Sequence, residues 1–345
     1  MTYREALDWG REQLQRAGIS DVDPDTGYLM EYVSGMKHMD LMFAGNGQME
    51  GGLLDRYKAC IKKRARHIPL QQITGSQNFM GLSFRVNEHV LCPRQDTETL
   101  AEEGLKILGR LGREKLKRPA ESNSGNILAG MGEGSWDGKM HILDLCTGSG
   151  CILISLLYLA QRELGFRLEA KPGASAEARM DEPPLSDERR GQKREEGGDW
   201  SLDGLGTDLS EEALALAREN ARRNGVPAAF LVSDLFDRLE GTYDLITANP
   251  PYIPSGQVDE LMPEVRDHEP HMALDGGEDG LAFYRRILAG ISAHLNAGGY
   301  LLVEIGCDQG EAVKAILADG PFDEINVVRD LAGRDRVVSG RRIHV

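Results

Sequence analysis

An apolar run that ends in two consecutive prolines constrains this chain more than any other feature. Tyr243-Asp244-Leu245-Ile246-Thr247-Ala248 reads as a buried strand, and Asn249-Pro250-Pro251-Tyr252 follows at once. Neither proline can donate to a β-ladder, and the first disfavours helical geometry at Asn249. The strand must therefore stop in a stiff loop at its carboxyl end, where open α/β sheets bind ligands. The Asn249 side-chain oxygen and the Pro250 carbonyl can both accept hydrogen bonds, and Tyr252 offers a flat wall. Such a corner suits a planar NH2 group, either a carboxamide or the amino group of a base. That nitrogen is a poor nucleophile because its lone pair is delocalised. Two acceptors that favour its pyramidal form help most in the transition state. Alone, the motif also fits an ordinary proline-rich strand exit.

The preceding segments supply a second site. His141-Ile142-Leu143-Asp144-Leu145 is a short buried strand, followed by Cys146-Thr147-Gly148-Ser149-Gly150 and an apolar helix from about Cys151. Strand, glycine loop and helix begin a nucleotide-binding crossover. The third glycine of a dinucleotide fingerprint would fall at Leu153, which argues against a nicotinamide cofactor. A ligand with a carboxylate and no pyrophosphate still suits a helix N-terminus, and S-adenosyl-L-methionine is one. A strand over Leu202–Thr207 ends in Asp208, positioned to accept from both ribose hydroxyls, with Ser210 opening the next helix. A third strand, Ala228–Val232, ends in Ser233-Asp234-Leu235, where Asp234 can accept from an adenine amino group and Leu235 can pack on the ring. A lone Asp there is also a common cap or turn residue.

Composition bounds the rest. At 345 residues, the length suggests two domains, or one large domain with an appendage, and the 41% hydrophobic content is enough for a sizeable core. The longest apolar run, Cys151 to Ala160, is short of the ~20 residues that span a bilayer. The first residues show no signal region, and the five cysteines contain no C-x-x-C pair. These features predict a cytoplasmic protein with reduced thiols. A net charge of −15 disfavours non-specific nucleic-acid binding. Lys62-Lys63-Arg64-Ala65-Arg66-His67 is a local exception, read as a solvated helix face that could touch an acidic partner or RNA. His268 and His271 flank Glu269-Pro270, and no metal site is assigned to them.

Taken in order, residues 1 to about 70 predict a small helical bundle, with amphipathic segments after Tyr3, over Asp25–Val33 and over Leu53–Ala65. Phe79–Val86 alternates as one strand, with Val90–Cys92 as its partner. Asp96 or Thr97 caps a helix to Leu108, and Arg94 before it can hold a carboxylate, cap the helix or pair with Glu98. Segments near 112–138 and 166–200 are polar and read as insertions. After Asn249 come a helix over Gly280–His294, a strand over Tyr300–Glu304 and a helix over Gln309–Leu317. Strands over Ile325–Arg329 and Val337–Ile343 finish the sheet.

These residues together resemble the PrmC/HemK release-factor glutamine methyltransferases. The marks are Asp144–Gly150, Asp208, Asp234, Asn249–Tyr252, Pro93-Arg94-Gln95-Asp96-Thr97-Glu98 and Asp330-Leu331-Ala332-Gly333-Arg334-Asp335-Arg336. Cys146 stands where the family has glycine, and Gln95 where a second proline is common. The resemblance implies a class I (Rossmann-like) methyltransferase of the α/β class. It has a seven-stranded, mostly parallel sheet and a small helical N-terminal domain. Its implied division is a substrate-docking domain over 1–75, a hairpin or linker over 76–98, and the methyltransferase domain over 99–345. It implies that Cys146, Thr147, Gly148, Ser149 and Gly150 face the methionine part of S-adenosyl-L-methionine, Asp208 the ribose, and Asp234 with Leu235 the adenine. Asn249, Pro250, Pro251 and Tyr252 would hold the glutamine amide of the Gly-Gly-Gln loop of a peptide chain release factor. Phe79 and Arg94 are carried as possible substrate or cofactor contacts. The rivals are an adenine amino-methyltransferase, a ribosomal-protein glutamine methyltransferase and a cofactor-binding protein without turnover. Against the first, no basic, aromatic-studded recognition domain follows Tyr252.

Overall fold

The computed structural model of the chain describes residues 1–116, 138–170 and 200–344. Most of the two polar segments lies outside them. Two compact units result: Met1–Gln77, Val86–Cys92 and Gln257–His271 form one, and Asn78–Arg85, Pro93–Gly256 and Met272–Val345 the other.

The first unit is helical, with α1 (Tyr3–Arg16), α2 (Val22–Ser34), α3 (His38–Ala44), α4 (Gly51–Arg64) and α5 (Leu70–Thr74). Thr2 and Glu5 start α1 with a reciprocal capping box, which satisfies two otherwise orphaned backbone donors. Leu14, Leu29, Met30, Tyr57 and Ile61 form its core. The basic run at the end of α4 is not uniformly solvated. Arg64 is buried, with Nε 2.5 Å from Asp25 Oδ2 and Nη2 3.1 Å from Glu264 Oε1. Gln72 Nε2 also donates to the His268 carbonyl, so residues 257–271 pack with the helices and not with the sheet that precedes them. His268 spends a ring nitrogen on the Arg66 carbonyl at 2.9 Å, and no metal-ligand cluster occurs among the described residues.

The chain continues with β1 (Ser76–Phe79), which begins at the end of the first unit's first segment, and then in the second unit with β2 (Leu82–Arg85), α6 (Glu98–Leu116), β3 (Lys139–Leu145), α7 (Cys151–Leu164), β4 (Arg167–Leu168), β5 (Ser201–Asp208), α8 (Glu211–Asn224), β6 (Ala229–Val232) and β7 (Tyr243–Ala248). After the short turn α9 (Pro263–Arg266) of the first unit come α10 (Ala282–His294), β8 (Leu295–Glu304), α11 (Gly310–Ala318), β9 (Phe322–Arg329) and β10 (Asp335–Arg342). Two expectations fail here. Phe79–Val86 is a hairpin, because Met80 and Gly81 both take positive φ (50° and 76°) and turn the chain tightly. The partner of β2 is therefore β1, not Val90–Cys92. Helix α6 also runs past Leu108 to Leu116, into the segment read as polar.

The sheet order is β4-β5-β3-β7-β8-β10-β9, with β6 also pairing β5. All pairings are parallel except those of β10, which runs antiparallel to β8 and β9. The strand count is eight, not seven, because the two-residue β4 sits along the early part of β5 and β6 along its end. One face is covered by α6 and α7, where Leu100, Leu108, Leu153 and Leu157 meet Ile142, Leu245 and Leu302. On the other, Tyr284, Ile287 and Val313 from α10 and α11 meet Leu143, Ile246 and Val303. Near-continuous burial of β3, β5, β7 and β8 is what a doubly covered parallel sheet demands.

Candidate active site

The register of the parallel strands lines up their carboxyl ends. Leu145 pairs with Thr207 on one side and Ala248 on the other, and Ala248 pairs with Val303. One residue further along each strand stand Asp208, Cys146, Asn249 and Glu304. Three sequence-predicted loops thus converge on one edge of the sheet.

The glycine loop is held by acids beneath it. The fully buried Asp144 accepts from Thr147 Oγ1 at 2.5 Å and from Thr247 Oγ1 at 2.7 Å, tying the loop to β7. Burial pushes its carboxyl up to about 7, against the pull of those two hydroxyls. Asp208 accepts from the Gly148 N–H at 2.9 Å and the Ser210 N–H at 3.0 Å, while burial raises its carboxyl above the ordinary range. Cys146 takes φ 54°, a left-handed conformation that favours glycine. The protein retains a side chain at that strained position. Burial keeps the Cys146 thiol protonated.

Asp234 forms an ion pair with Arg286 at 2.8 Å, a partner that sequence reading missed. Leu235 takes φ 50° and is buried, with its carbonyl bound by Ser233 Oγ at 3.0 Å. Phe79 is packed in the core, edge-on to Phe84 with ring centroids 6.2 Å apart, and not on a rim.

The proline corner is clamped from behind. Gln309 Nε2 donates to the Tyr252 carbonyl at 2.9 Å, and its Oε1 accepts from the Gly306 N–H at 2.9 Å. Ile253 exchanges hydrogen bonds with Leu274 and Gly276. A Cβ on Gly276 would lie 2.8 Å from the Pro251 carbonyl oxygen, so only glycine permits that approach. Pro250 and Pro251 are buried, Asn249 and Tyr252 half-buried, and burial lifts the Tyr252 hydroxyl to about 12.

Two further motifs meet beside this corner. Arg336 Nη2 lies 3.1 Å from Asp96 and 3.2 Å from Asp330. Glu98 accepts from the Met80 N–H at 2.7 Å and pins the hairpin turn. Arg94 lies near enough to stabilise the charged forms of both Tyr252 and Glu304. Sequence reading had singled out neither Gln309 nor Glu304 as a site residue.

Known proteins resemble this chain along most of its length. Residues 5–75 match the model of the PrmC N-terminal domain, and residues 201–265 that of the methyltransferase small domain. A release factor glutamine methyltransferase of Geobacter sulfurreducens is 32% identical over 99% of this chain and 96% of its own. One from Agrobacterium fabrum is 34% identical over 96% and 94%, and one from Moorella thermoacetica 34% over 97% of each. The chain belongs to the release factor glutamine methyltransferase family.

Proposed function

We propose that this protein transfers a methyl group from S-adenosyl-L-methionine to the side-chain amide nitrogen of the glutamine in the Gly-Gly-Gln loop of peptide chain release factors. The observation that carries the reading is the alignment of Asn249 with Cys146 and Asp208 along one sheet edge, within a chain of this family.

The residues present fit the cofactor. A Cβ placed on Gly148 meets nothing within 4 Å, so open space lies above the loop, and the Asp208 carboxylate stands at its side. Cys146 to Gly150 would border the methionine part, Asp208 the ribose, and Asp234 with Leu235 the adenine. When bound, S-adenosyl-L-methionine supplies an electrophilic methyl on a sulfonium. Asn249 Oδ1 and the Pro250 carbonyl accept the two amide hydrogens and favour the pyramidal nitrogen as its bond to carbon forms. Tyr252 walls the corner, and Gln309 holds Tyr252 from behind. Positioning of this kind supplies much of the rate. The methyl's bond to sulfur would break as the bond to nitrogen forms and the amide proton would be lost to solvent afterwards, so neither Asn249 nor Pro250 would need to act as a strong base.

No helix among the described residues is long and apolar enough to cross a membrane, and we infer a cytoplasmic site of action beside translation factors. The test incubates the protein with labelled S-adenosyl-L-methionine and, separately, release factor, ribosomes and DNA, and locates the methyl by mass spectrometry. Label on the release-factor glutamine is expected. Label on a base, on a ribosomal protein or on nothing would sink the proposal.

A further inference from the structure

Glu304, the last residue of β8, is 1% exposed, and its Oε2 has no hydrogen-bond partner among the described residues. An unsatisfied buried carboxylate oxygen is costly, and natural proteins rarely keep one without a reason. Its position supplies that reason. Thr247 pairs with Leu302 across β7 and β8, so Asn249 and Glu304, two residues further along, stand side by side on the same face. Their strands are about 4.8 Å apart, within reach of two side chains.

The proposed reaction needs the Asn249 amide one way round. Its oxygen must face the substrate NH2, which leaves its own N–H donors requiring an acceptor elsewhere. Turned over, the amide would set NH2 against NH2. We propose that Glu304 is a positioning residue: its buried carboxylate accepts the Asn249 side-chain N–H and so turns the Asn249 oxygen toward the substrate nitrogen. This rests on the glutamine-methyltransferase reading. Such bonds are often long without ligand and close in the complex.

The groups facing Glu304 bear on its charge. Arg94 and Arg336 favour the carboxylate and Asp96 opposes it, while Cys151, Tyr252 and Tyr284 stand close by as neutral groups. The side chain of Thr97, in the short turn just before α6, also favours the ionised form, although neither its Oγ1 nor Glu304 Oε2 closes a hydrogen bond of normal geometry. Burial outweighs them and pushes the carboxyl up to about 7. Protonated, Glu304 would donate to the Asn249 oxygen and compete with the substrate. Methyl transfer should therefore rise with pH as Glu304 ionises.

The experiment measures single-turnover methyl transfer to release factor from pH 5.5 to 8.5, with S-adenosyl-L-methionine binding measured in parallel. Wild type, Glu304→Gln and Glu304→Ala are compared. The amide oxygen of Gln can still accept from Asn249, so Glu304→Gln should keep most of the high-pH rate and lose the limb near pH 7. Glu304→Ala should lose about ten- to a hundredfold, the scale of one unsatisfied polar group, with cofactor binding intact. An unchanged limb in Glu304→Gln overturns the role. So does a Glu304→Gln enzyme as slow as Glu304→Ala, the mark of an obligatory proton acceptor. If Glu304→Ala does not fold, the Glu304→Gln profile decides alone. A wild type that methylates no release factor fails the proposed function instead, and is distinguished by that control.

Discussion

Asp144 and Glu304 are both fully buried acids near the carboxyl edge of the sheet, and burial pushes both carboxyls up to about 7. Their surroundings set them apart. Both oxygens of Asp144 are taken by Thr147 and Thr247, whereas Glu304 keeps an oxygen without a partner. Equal perturbation of two acids thus accompanies unequal satisfaction. The satisfied acid ties the glycine loop to β7 through two threonine hydroxyls. The unsatisfied one stands beside Asn249 in the strand register. A raised pKa alone would not have told them apart, but the hydrogen-bond inventory does.

Substitutions can break or sharpen this contrast. The largest effect is expected at the corner itself. Asn249→Ala should lose about 10²-fold or more in turnover, the scale of one lost oxyanion-type group, with S-adenosyl-L-methionine affinity preserved by calorimetry. A near-normal rate would remove the corner from the chemistry. Next comes Asp144→Ala, which strands the buried Thr147 hydroxyl, leaves Thr247 only its long contact to the Leu143 carbonyl, and should cost about 2 kcal/mol of stability in a urea titration. Cofactor affinity should fall with it, because Thr147 is released, and a stability loss without that fall would restrict Asp144 to folding. Gln309→Leu should be milder, lowering turnover by about tenfold through the freed Tyr252 carbonyl. An effect on cofactor affinity alone would contradict that assignment.

The smallest effect is a pH slope. Asp144 and Glu304 hold their protons more tightly folded than unfolded. The stability each contributes is full below the ordinary carboxylate range, near pH ~4, and is lost as pH rises through about 7. Glu304→Gln removes one of these losses, so its unfolding free energy should fall less than wild type between pH 4.5 and 7.5. A variant that falls as steeply would show that Glu304 does not titrate in that window.

Much of this was legible in the chain. The apolar run to Ala248, the prolines after it and the glycine loop after Leu145 each carry a local signal, through burial, missing donors and permitted φ. The Phe79–Val86 hairpin was not legible, because Met80 takes its positive φ while Glu98, far along the chain, binds its N–H. Arg64 looked like one cation in a solvated run and proved buried between Asp25 and Glu264. Glu304 read only as the end of a strand.

The sequence by itself determined where the central strands β3, β5, β7 and β8 stop and which polar residues follow, because these depend on side chains a few residues apart. Only the tertiary structure decided that Asp208, Cys146, Asn249 and Glu304 share one row and that Gln309 clamps the proline corner. Parallel register joins strands separated by whole helices, so no local pattern encodes it. The match of buried faces across the assembled sheet sets which residues stand side by side.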